Sequence, residues 1–232
     1  MTTELLTDAD LDRARAELEA LVRIPSISAD HAHADDVRAS ADTVVALMEE
    51  AGLDDVRQIV VDGGPPYVVG EWVHAPDAPT VLLYAHHDVQ PPGYVDRWTS
   101  DPFEPREDDG RLFGRGTADD KAGVVAHLAV VRAWLRENGA LPCNVKVLAE
   151  GEEEIGSPGL AGFLTSHAHD LQSDVLLLAD AGNWEVGVPG LTYSLRGLAG
   201  VEVRVRALEG PVHSGMYLAA SAAVSAALVS SG

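Results

Sequence analysis

Three short apolar segments in the first 180 residues each run directly into ionisable side chains. They are VLLYAHHD at 81–88, VKVLAEGEEE at 145–154 and DVLLLAD at 174–180. Segments of this length and composition, bounded by Gly, Pro or Asp, are typical of β-strands. Helical patterns separate them, at about 118–138 and 158–169. This alternation predicts an α/β domain with a mainly parallel sheet and helices on both of its faces.

Four further elements precede these segments. Apolar residues at helical spacing predict one helix within 8–26 and another within 35–52. The segments 58–62 and 66–73 have the β-branched and aromatic composition of strands. The pattern changes at 191–210, where apolar and charged residues alternate as they do in a sheet with one solvated face. We therefore expect a first domain over residues 1–190 and the beginning of a second over 191–232.

The net charge of the chain argues against several classes of partner. Lys and Arg number 16 against 37 Asp and Glu, which gives a formal net charge of −21. Nucleic acid and anionic membranes would be repelled by such a chain. The acidic start MTTELLTDADLD does not resemble a secretory signal, and no apolar run reaches the roughly 20 residues of a membrane span. With Cys143 as its single cysteine, the chain is expected to be cytoplasmic.

Ionisable residues cluster at the predicted carboxyl ends of the strands, where ligands bind in open α/β sheets. His86 and Asp88 close the first segment; two residues apart on a strand, they share a face, so Asp88 can hold one ring nitrogen of His86 while the other binds a metal. The remaining members of the group are Asp119, Asp120, Glu152, Glu153, Glu154 and Asp180. Clustered carboxylates repel one another unless cations neutralise them. One histidine among several carboxylates suits zinc, manganese or cobalt.

Each cluster also has a simpler interpretation when it is taken alone. EGEEE at 150–154 fits an acidic solvated turn, and Asp180 fits a helix cap or a turn. GRGTAD at 114–119 resembles half of a phosphate loop, but Asp119 stands where the dinucleotide pattern needs glycine. The joint occurrence of the clusters at the ends of successive strands favours the metal site.

Five segments together resemble a known family in order and spacing. They are YAHHDVQPPG, LFGRGTADDKAG, EGEEEIGSPG, LLLADAGNW and SLRGLAGVEV with VHSGMY. The family is that of the dinuclear-zinc aminopeptidase-like enzymes, which holds carnosinase-type dipeptidases, glutamate carboxypeptidases, acetylornithine deacetylases and succinyl-diaminopimelate desuccinylases. HDVQPP and EGEEEIGS are more similar to the dipeptidase branch than to the deacetylase branches.

The resemblance implies two divalent metal ions, with zinc first and manganese or cobalt as alternatives. It assigns His86 and Asp180 to one ion, Glu154 to the other, and Asp119 to both as a bridge. It further implies a cis peptide bond between Asp119 and Asp120. The expected reaction is hydrolysis of a dipeptide amide bond by a water held between the ions, with an N-acyl-amino-acid deacylase as the alternative. Small peptides or N-acyl amino acids are the implied substrates.

The resemblance also implies three catalytic or supporting roles. Asp88 orients His86, and Glu153 is the general base. His213, in VHSGMY, enters the active site of a partner subunit and stabilises the oxyanion, which implies a homodimer.

The resemblance also implies the identity of the two domains. Residues 1–190 correspond to the N-terminal part of the catalytic domain, and residues 191–232 to the beginning of an α+β lid and dimerisation domain.

The sequence departs from the family pattern after Tyr217. LAASAAVSAALVSSG follows where the family continues with a different segment, and a late histidine ligand of the second metal has no counterpart here. From the sequence we therefore expect a truncated chain that, by itself, binds at most one metal tightly and is inactive, a metal-binding remnant.

Overall fold

The computed structural model describes residues 5–185, 187–194 and 197. The chain divides into two compact units, Met1–Asn183 and Trp184–Gly232. All of the helices and strands named below lie in the first unit. The α-helices are α1 (Asp8–Val22), α2 (Ala34–Glu50), α3 (Lys121–Asn138) and α4 (Leu160–His167). The strands are β1 (Asp54–Val60), β2 (Pro66–Trp72), β3 (Thr80–His86), β4 (Arg106–Asp108), β5 (Arg111–Phe113), β6 (Asn144–Glu150) and β7 (Val175–Leu178).

Five strands form the main sheet, in the spatial order β1, β2, β6, β3, β7. β3 lies between β6 and β7 and is parallel to both, with His86 opposite Glu150 and Tyr84 opposite Leu178. The carboxyl ends of these three strands therefore meet at one edge of the sheet. This register brings His86, at the end of β3, together with the segments that follow β3, β6 and β7. Those segments contain the other predicted site residues at 88, 153–154 and 180.

The α/β class is confirmed, and the sheet is mixed where the sequence predicts a mainly parallel one. β2 pairs antiparallel with both β1 and β6. The physical reason is the length of its connections, since only residues 61–65 join β1 to β2 and only residues 73–79 join β2 to β3. Two parallel strands of one sheet need a crossover of a dozen or more residues, so β2 runs antiparallel to β1 and to β3. Because β3 is parallel to β6, β2 is also antiparallel to β6. Short connections therefore give the N-terminal strands their antiparallel directions.

Helices cover both faces of the sheet, as the sequence predicts. On one face α1, α2 and α3 pack around a core that includes Leu21, Met48, Leu128 and Val147. On the other face α4 contributes Phe163, whose ring stacks on that of Tyr67 with centroids 4.3 Å apart. Burial of these side chains supplies most of the stabilisation of such a layered fold. The strand ends are thereby held rigidly between two helical layers.

Helix boundaries follow local sequence signals. Thr7 caps α1 in a reciprocal pair with Asp10, in which the Thr7 side chain accepts from the Asp10 N–H and the Asp10 carboxylate accepts from the Thr7 N–H. Gly139 ends α3 with a φ of 70°, in the left-handed region that glycine adopts readily. α3 begins at Lys121 rather than at about residue 118, so Asp119 and Asp120 lie in the turn that precedes the helix.

β7 is the edge strand of the sheet, yet its composition is that of an interior strand. Its four residues, Val175, Leu176, Leu177 and Leu178, are each 43–53% exposed. Parallel strands that are apolar on both faces are usually covered on both faces.

Among the described residues, none of the helices is long and apolar enough to span a bilayer.

Candidate metal centre

Three side chains converge at the carboxyl ends of β3 and β7: His86, Asp119 and Asp180. One ligand atom of each lies within 4.8 Å of the other two. His86 Nε2 is 3.2 Å from an Asp119 carboxylate oxygen and 3.9 Å from an Asp180 carboxylate oxygen. The imidazole is fully buried, whereas the Asp119 and Asp180 side chains are 58% and 32% exposed. One nitrogen and two carboxylate oxygens around a point open to solvent fit a divalent ion of the zinc, manganese or cobalt type, with water completing its coordination.

The sheet register accounts for this convergence. His86 is the last residue of β3, and Asp180 follows β7, whose continuation donates the Ala179 N–H to the Tyr84 carbonyl oxygen over 3.1 Å. Asp119 lies in the turn before α3 and is joined to Asp120 by a cis peptide bond, as the family resemblance implies. Residues far apart in the chain thus meet because parallel strands end at the same edge.

Asp88 lies behind the ring of His86 and is fully buried. His86 Nδ1 faces the main-chain oxygen of Asp88 at 3.1 Å and its carboxylate at 3.4 Å. A hydrogen on Nδ1 leaves the Nε2 lone pair directed at Asp119, the arrangement that metal binding needs. Burial by itself raises the pKa of Asp88, but hydrogen bonds from His86 and Ser28 outweigh it and lower that pKa. The geometry is the one that the predicted orienting role of Asp88 requires.

His86 has a strong affinity for a proton when no metal is bound. Burial lowers the pKa of the imidazole, but the hydrogen bond to Asp88 and the negative charges of Asp88, Asp120 and Asp180 outweigh burial and raise this pKa to about 10. Metals bind the unprotonated ring, so metal and proton compete for His86. The apparent metal affinity of the site therefore rises as the pH approaches that pKa from below.

Glu153 adds a further carboxylate on the Nε2 side of His86. It begins a short 3₁₀ turn after β6, and its Oε2 lies 3.8 Å from His86 Nε2. Burial raises the pKa of Glu153, and the charges of Asp180 and Glu154 raise it further, although a protonated His86 acts in the opposite direction. A carboxylate close to the metal ligands with a raised pKa has the properties of a general base.

Glu154 is not brought into the group of three ligands. Its side chain is held by Gln90, whose Nε2 donates to Glu154 Oε2 over 2.8 Å and to the Glu154 main-chain oxygen over 2.9 Å. The Gln90 main-chain N–H donates to the other carboxylate oxygen over 3.2 Å. The assignment of Glu154 to a second metal stays a prediction. Gln90 is a contact that sequence reasoning missed, although it lies within the quoted HDVQPP segment.

Asp120 is a second buried carboxylate of the site, and its sequence context predicted no separate role for it. One of its oxygens accepts the main-chain N–H of His86 over 3.3 Å. Burial raises the pKa of Asp120 to about 7, against the opposing charge of His86. The sequence signal for this role was the pair of adjacent aspartates before a helix. If Asp119 contacts the ring of His86, its neighbour Asp120 can bind the main chain of the same histidine.

We expect Gly123→Ala to disturb the site through Asp120. A Cβ at Gly123 would lie 2.4 Å from Asp120 Oδ1 and 2.8 Å from Asp120 Oδ2, the oxygen that accepts the main-chain N–H of His86. Overpacking of this kind costs about 1–3 kcal/mol, so both unfolding free energy and zinc affinity should fall in urea and metal titrations. Gly162→Ala in α4 is the control, because its Cβ would meet Val61 at an ordinary 3.5 Å. Equal behaviour of the two variants would contradict the expectation.

His213 lies outside the described residues, so its predicted role in a partner's active site stays a prediction. The same holds for the second domain as a lid and dimerisation unit, because most of residues 191–232 are outside the described part of the chain.

Comparisons with known proteins show the family to which this chain belongs. The sequence profile of Peptidase family M20/M25/M40 matches residues 82–230. The cysteinylglycine-S-conjugate dipeptidase of Corynebacterium striatum is 40% identical over 94% of this chain and 48% of its own length. The Cys-Gly metallodipeptidase dug1 of Schizosaccharomyces pombe is 33% identical over 90% of this chain and 46% of its own length. The chain thus spans about half the length of the curated relatives it matches.

A comparison of folds also finds a dipeptidase. The crystal structure of human carnosine dipeptidase 1 superposes on 76% of this chain with a TM-score of 0.68 and 29% identity, and 40% of that protein is covered. The profile match includes all four predicted metal ligands, from His86 to Asp180. Sequence, fold and the convergence of His86, Asp119 and Asp180 agree, and the chain belongs to peptidase family M20/M25/M40.

Proposed function

We propose that this chain carries the metal-binding part of a metal-dependent dipeptidase. The observation that carries the proposal is the convergence of His86, Asp119 and Asp180, with Glu153 at 3.8 Å from His86. Relatives named as dipeptidases match nearly the whole chain, which supports peptide bonds as the target.

In this proposal two divalent ions occupy the site, and zinc is the first choice. His86 and Asp180 hold one ion, Glu154 holds the other, and Asp119 bridges them. Both carboxylate oxygens of Glu154 accept hydrogen bonds from Gln90 and keep further lone pairs with which they could bind an ion. The exposed carboxylate of Asp119 is compatible with a bridge, because one of its oxygens faces His86 and its side chain reaches solvent.

The ions would supply an acidified water and a positive charge for the oxygen of the substrate carbonyl. Glu153 accepts the proton of the attacking water and returns it to the amine that leaves. Asp88 keeps the His86 ring in one orientation through Nδ1. The main-chain N–H of Glu153 donates to the same aspartate over 3.2 Å, so the base and the ligand share one support.

The remaining parts of the proposal concern the whole protein. We propose a homodimer in which His213 completes the partner's site and stabilises the oxyanion. The single cysteine, Cys143, supports a reducing compartment, and we propose the cytoplasm.

A substrate panel tests the proposed function. A version of the protein extended to the length of its relatives should hydrolyse dipeptides such as Cys-Gly or β-Ala-His after loading with zinc, manganese or cobalt. A chelator should abolish turnover and the metal should restore it. N-acyl amino acids serve as the comparison substrates. The proposal of a metal-dependent dipeptidase would be rejected if the protein cleaved only N-acyl amino acids, or if a chelator left turnover unchanged.

A further inference from the structure

The segment after α1 lies along the strand end that carries His86 and Asp88. Ile27 forms a parallel β-bridge with Val89, and the Val89 N–H donates to the Ser26 carbonyl oxygen over 2.9 Å. The Ser26 hydroxyl donates to the main-chain oxygen of His87 over 2.7 Å. These bonds fix the segment at 26–28 beside the residues that build the site.

Ser28 lies close enough to the Asp88 carboxylate to form a hydrogen bond. The Ser28 hydroxyl donates to Asp88 Oδ2 over 2.5 Å. The same oxygen accepts the N–H of Glu154 over 3.1 Å, while Oδ1 accepts the N–H of Glu153 over 3.2 Å and lies 3.4 Å from His86 Nδ1. A buried carboxylate that meets four donors has one favourable orientation. Asp88 therefore joins the metal-binding histidine to the turn that holds the general base.

We propose that Ser28 is a positioning residue, which acts through Asp88 to hold the His86 ring and the Glu153–Glu154 backbone in a single arrangement. The inference rests on the proposed function for its chemical meaning. Ser28 touches neither a ligand atom nor, in the mechanism above, the substrate. Its hydroxyl supplies one of the two donors to Oδ2, and the other is the Glu154 N–H.

Loss of this hydroxyl has a definite physical consequence. With Ser28 replaced by alanine, Oδ2 keeps one donor in a buried environment, where an unsatisfied lone pair is costly. The carboxylate then gains freedom to rotate, which weakens its bonds to the Glu153 and Glu154 N–H groups and to His86 Nδ1. Loss of such outer supports lowers metal affinity by about ten- to a hundredfold.

The chain offers a matched control in Ser40. Ser40 is buried where Ser28 is half-buried, and the Ser40 hydroxyl donates over 3.2 Å to the main-chain oxygen of His87, one residue from Asp88. Ser40→Ala thus removes a comparable hydroxyl without removing a donor to the carboxylate. Ser28→Thr is the conservative variant, because Ser28 lines a cavity of about 150 Å³ that can accept a methyl group.

The experiment has one arm without metal and one with metal, both on the 232-residue chain. In the metal-free arm, amide hydrogen exchange at Glu153 and Glu154 should be about tenfold faster in Ser28→Ala. The reason is that loss of one hydrogen bond lowers the free energy of local opening at these two amides. Ser28→Thr and Ser40→Ala should exchange like the wild type at these two amides. The ¹⁵N signal of His86 Nδ1 should also move only in Ser28→Ala.

In the metal arm, the Kd for Co²⁺ should rise about ten- to a hundredfold in Ser28→Ala and recover in Ser28→Thr. Unchanged exchange and unchanged Kd in Ser28→Ala, or the same changes in Ser40→Ala, would overturn the inference. A wild-type chain that binds no metal would reject the proposed function, while the exchange arm would still decide whether Ser28 holds the Glu153–Glu154 turn.

Discussion

Glu153→Gln should lower kcat for dipeptide hydrolysis by at least about a hundredfold, the usual loss when a general base is removed. The amide of glutamine has the shape of the carboxylate but accepts no proton. The main-chain N–H of residue 153 still donates to Asp88, so the turn keeps its place. Because His86, Asp119 and Asp180 are untouched, metal content should stay nearly unchanged. Steady-state kinetics and elemental analysis, on a version extended to the length of the relatives, measure both quantities.

Glu49→Gln is the matched control for this variant. Glu49 is exposed on α2, so the change removes the same unit of charge away from the site. Its kinetics should equal those of the wild type. Near-normal turnover in Glu153→Gln would remove this residue from the mechanism, and loss of metal together with turnover would make it a ligand instead.

The position of the site was predictable from the chain because of a geometric rule. His86, Glu153 and Asp180 follow apolar segments, and parallel strands bring their carboxyl ends to one edge. Periodicity identifies strands without identifying their neighbours, so the antiparallel pairing of β2 with β1 and β6 did not follow from the pattern. The lengths of the connections at 61–65 and 73–79 contained that information.

The supports of the site were not predictable in the same way. Ser28 and Asp88 are 60 residues apart, and Gln90 and Glu154 are 64 residues apart. A serine or a glutamine in a loop fits any polar position, so local sequence gives no sign of such a partner. The division of metal roles among Asp119, Glu154 and Asp180 came from the family resemblance, because composition and spacing do not distinguish a bridging carboxylate from a terminal one.

Removal of the Asp119 carboxylate should have the largest effect on metal binding. Its oxygen is the closest ligand atom to His86 Nε2, at 3.2 Å. Asp119→Asn keeps the shape of the side chain and removes the charge, and an amide oxygen is a far weaker ligand than a carboxylate for a zinc-type ion. The zinc affinity of the chain should fall by at least about a hundredfold, beyond the usual loss from an outer support. Isothermal titration at a fixed pH gives the affinity, and the pH must be held because His86 releases a proton on binding.

Asp12→Asn is the control, because Asp12 is exposed on α1 and the change alters the net charge of −21 by the same unit. Any general attraction between an acidic chain and a cation is thus matched. In the metal-free chain, Asp119→Asn should change the melting temperature little, because the lost attraction to the protonated His86 is offset by the relief of repulsion between Asp119 and the nearby Asp180. The rise in melting temperature that zinc produces in the wild type should be lost, as linkage requires for a ligand that no longer binds. In the extended protein, two metals that remained tightly bound to Asp119→Asn would show that this aspartate does not bridge them.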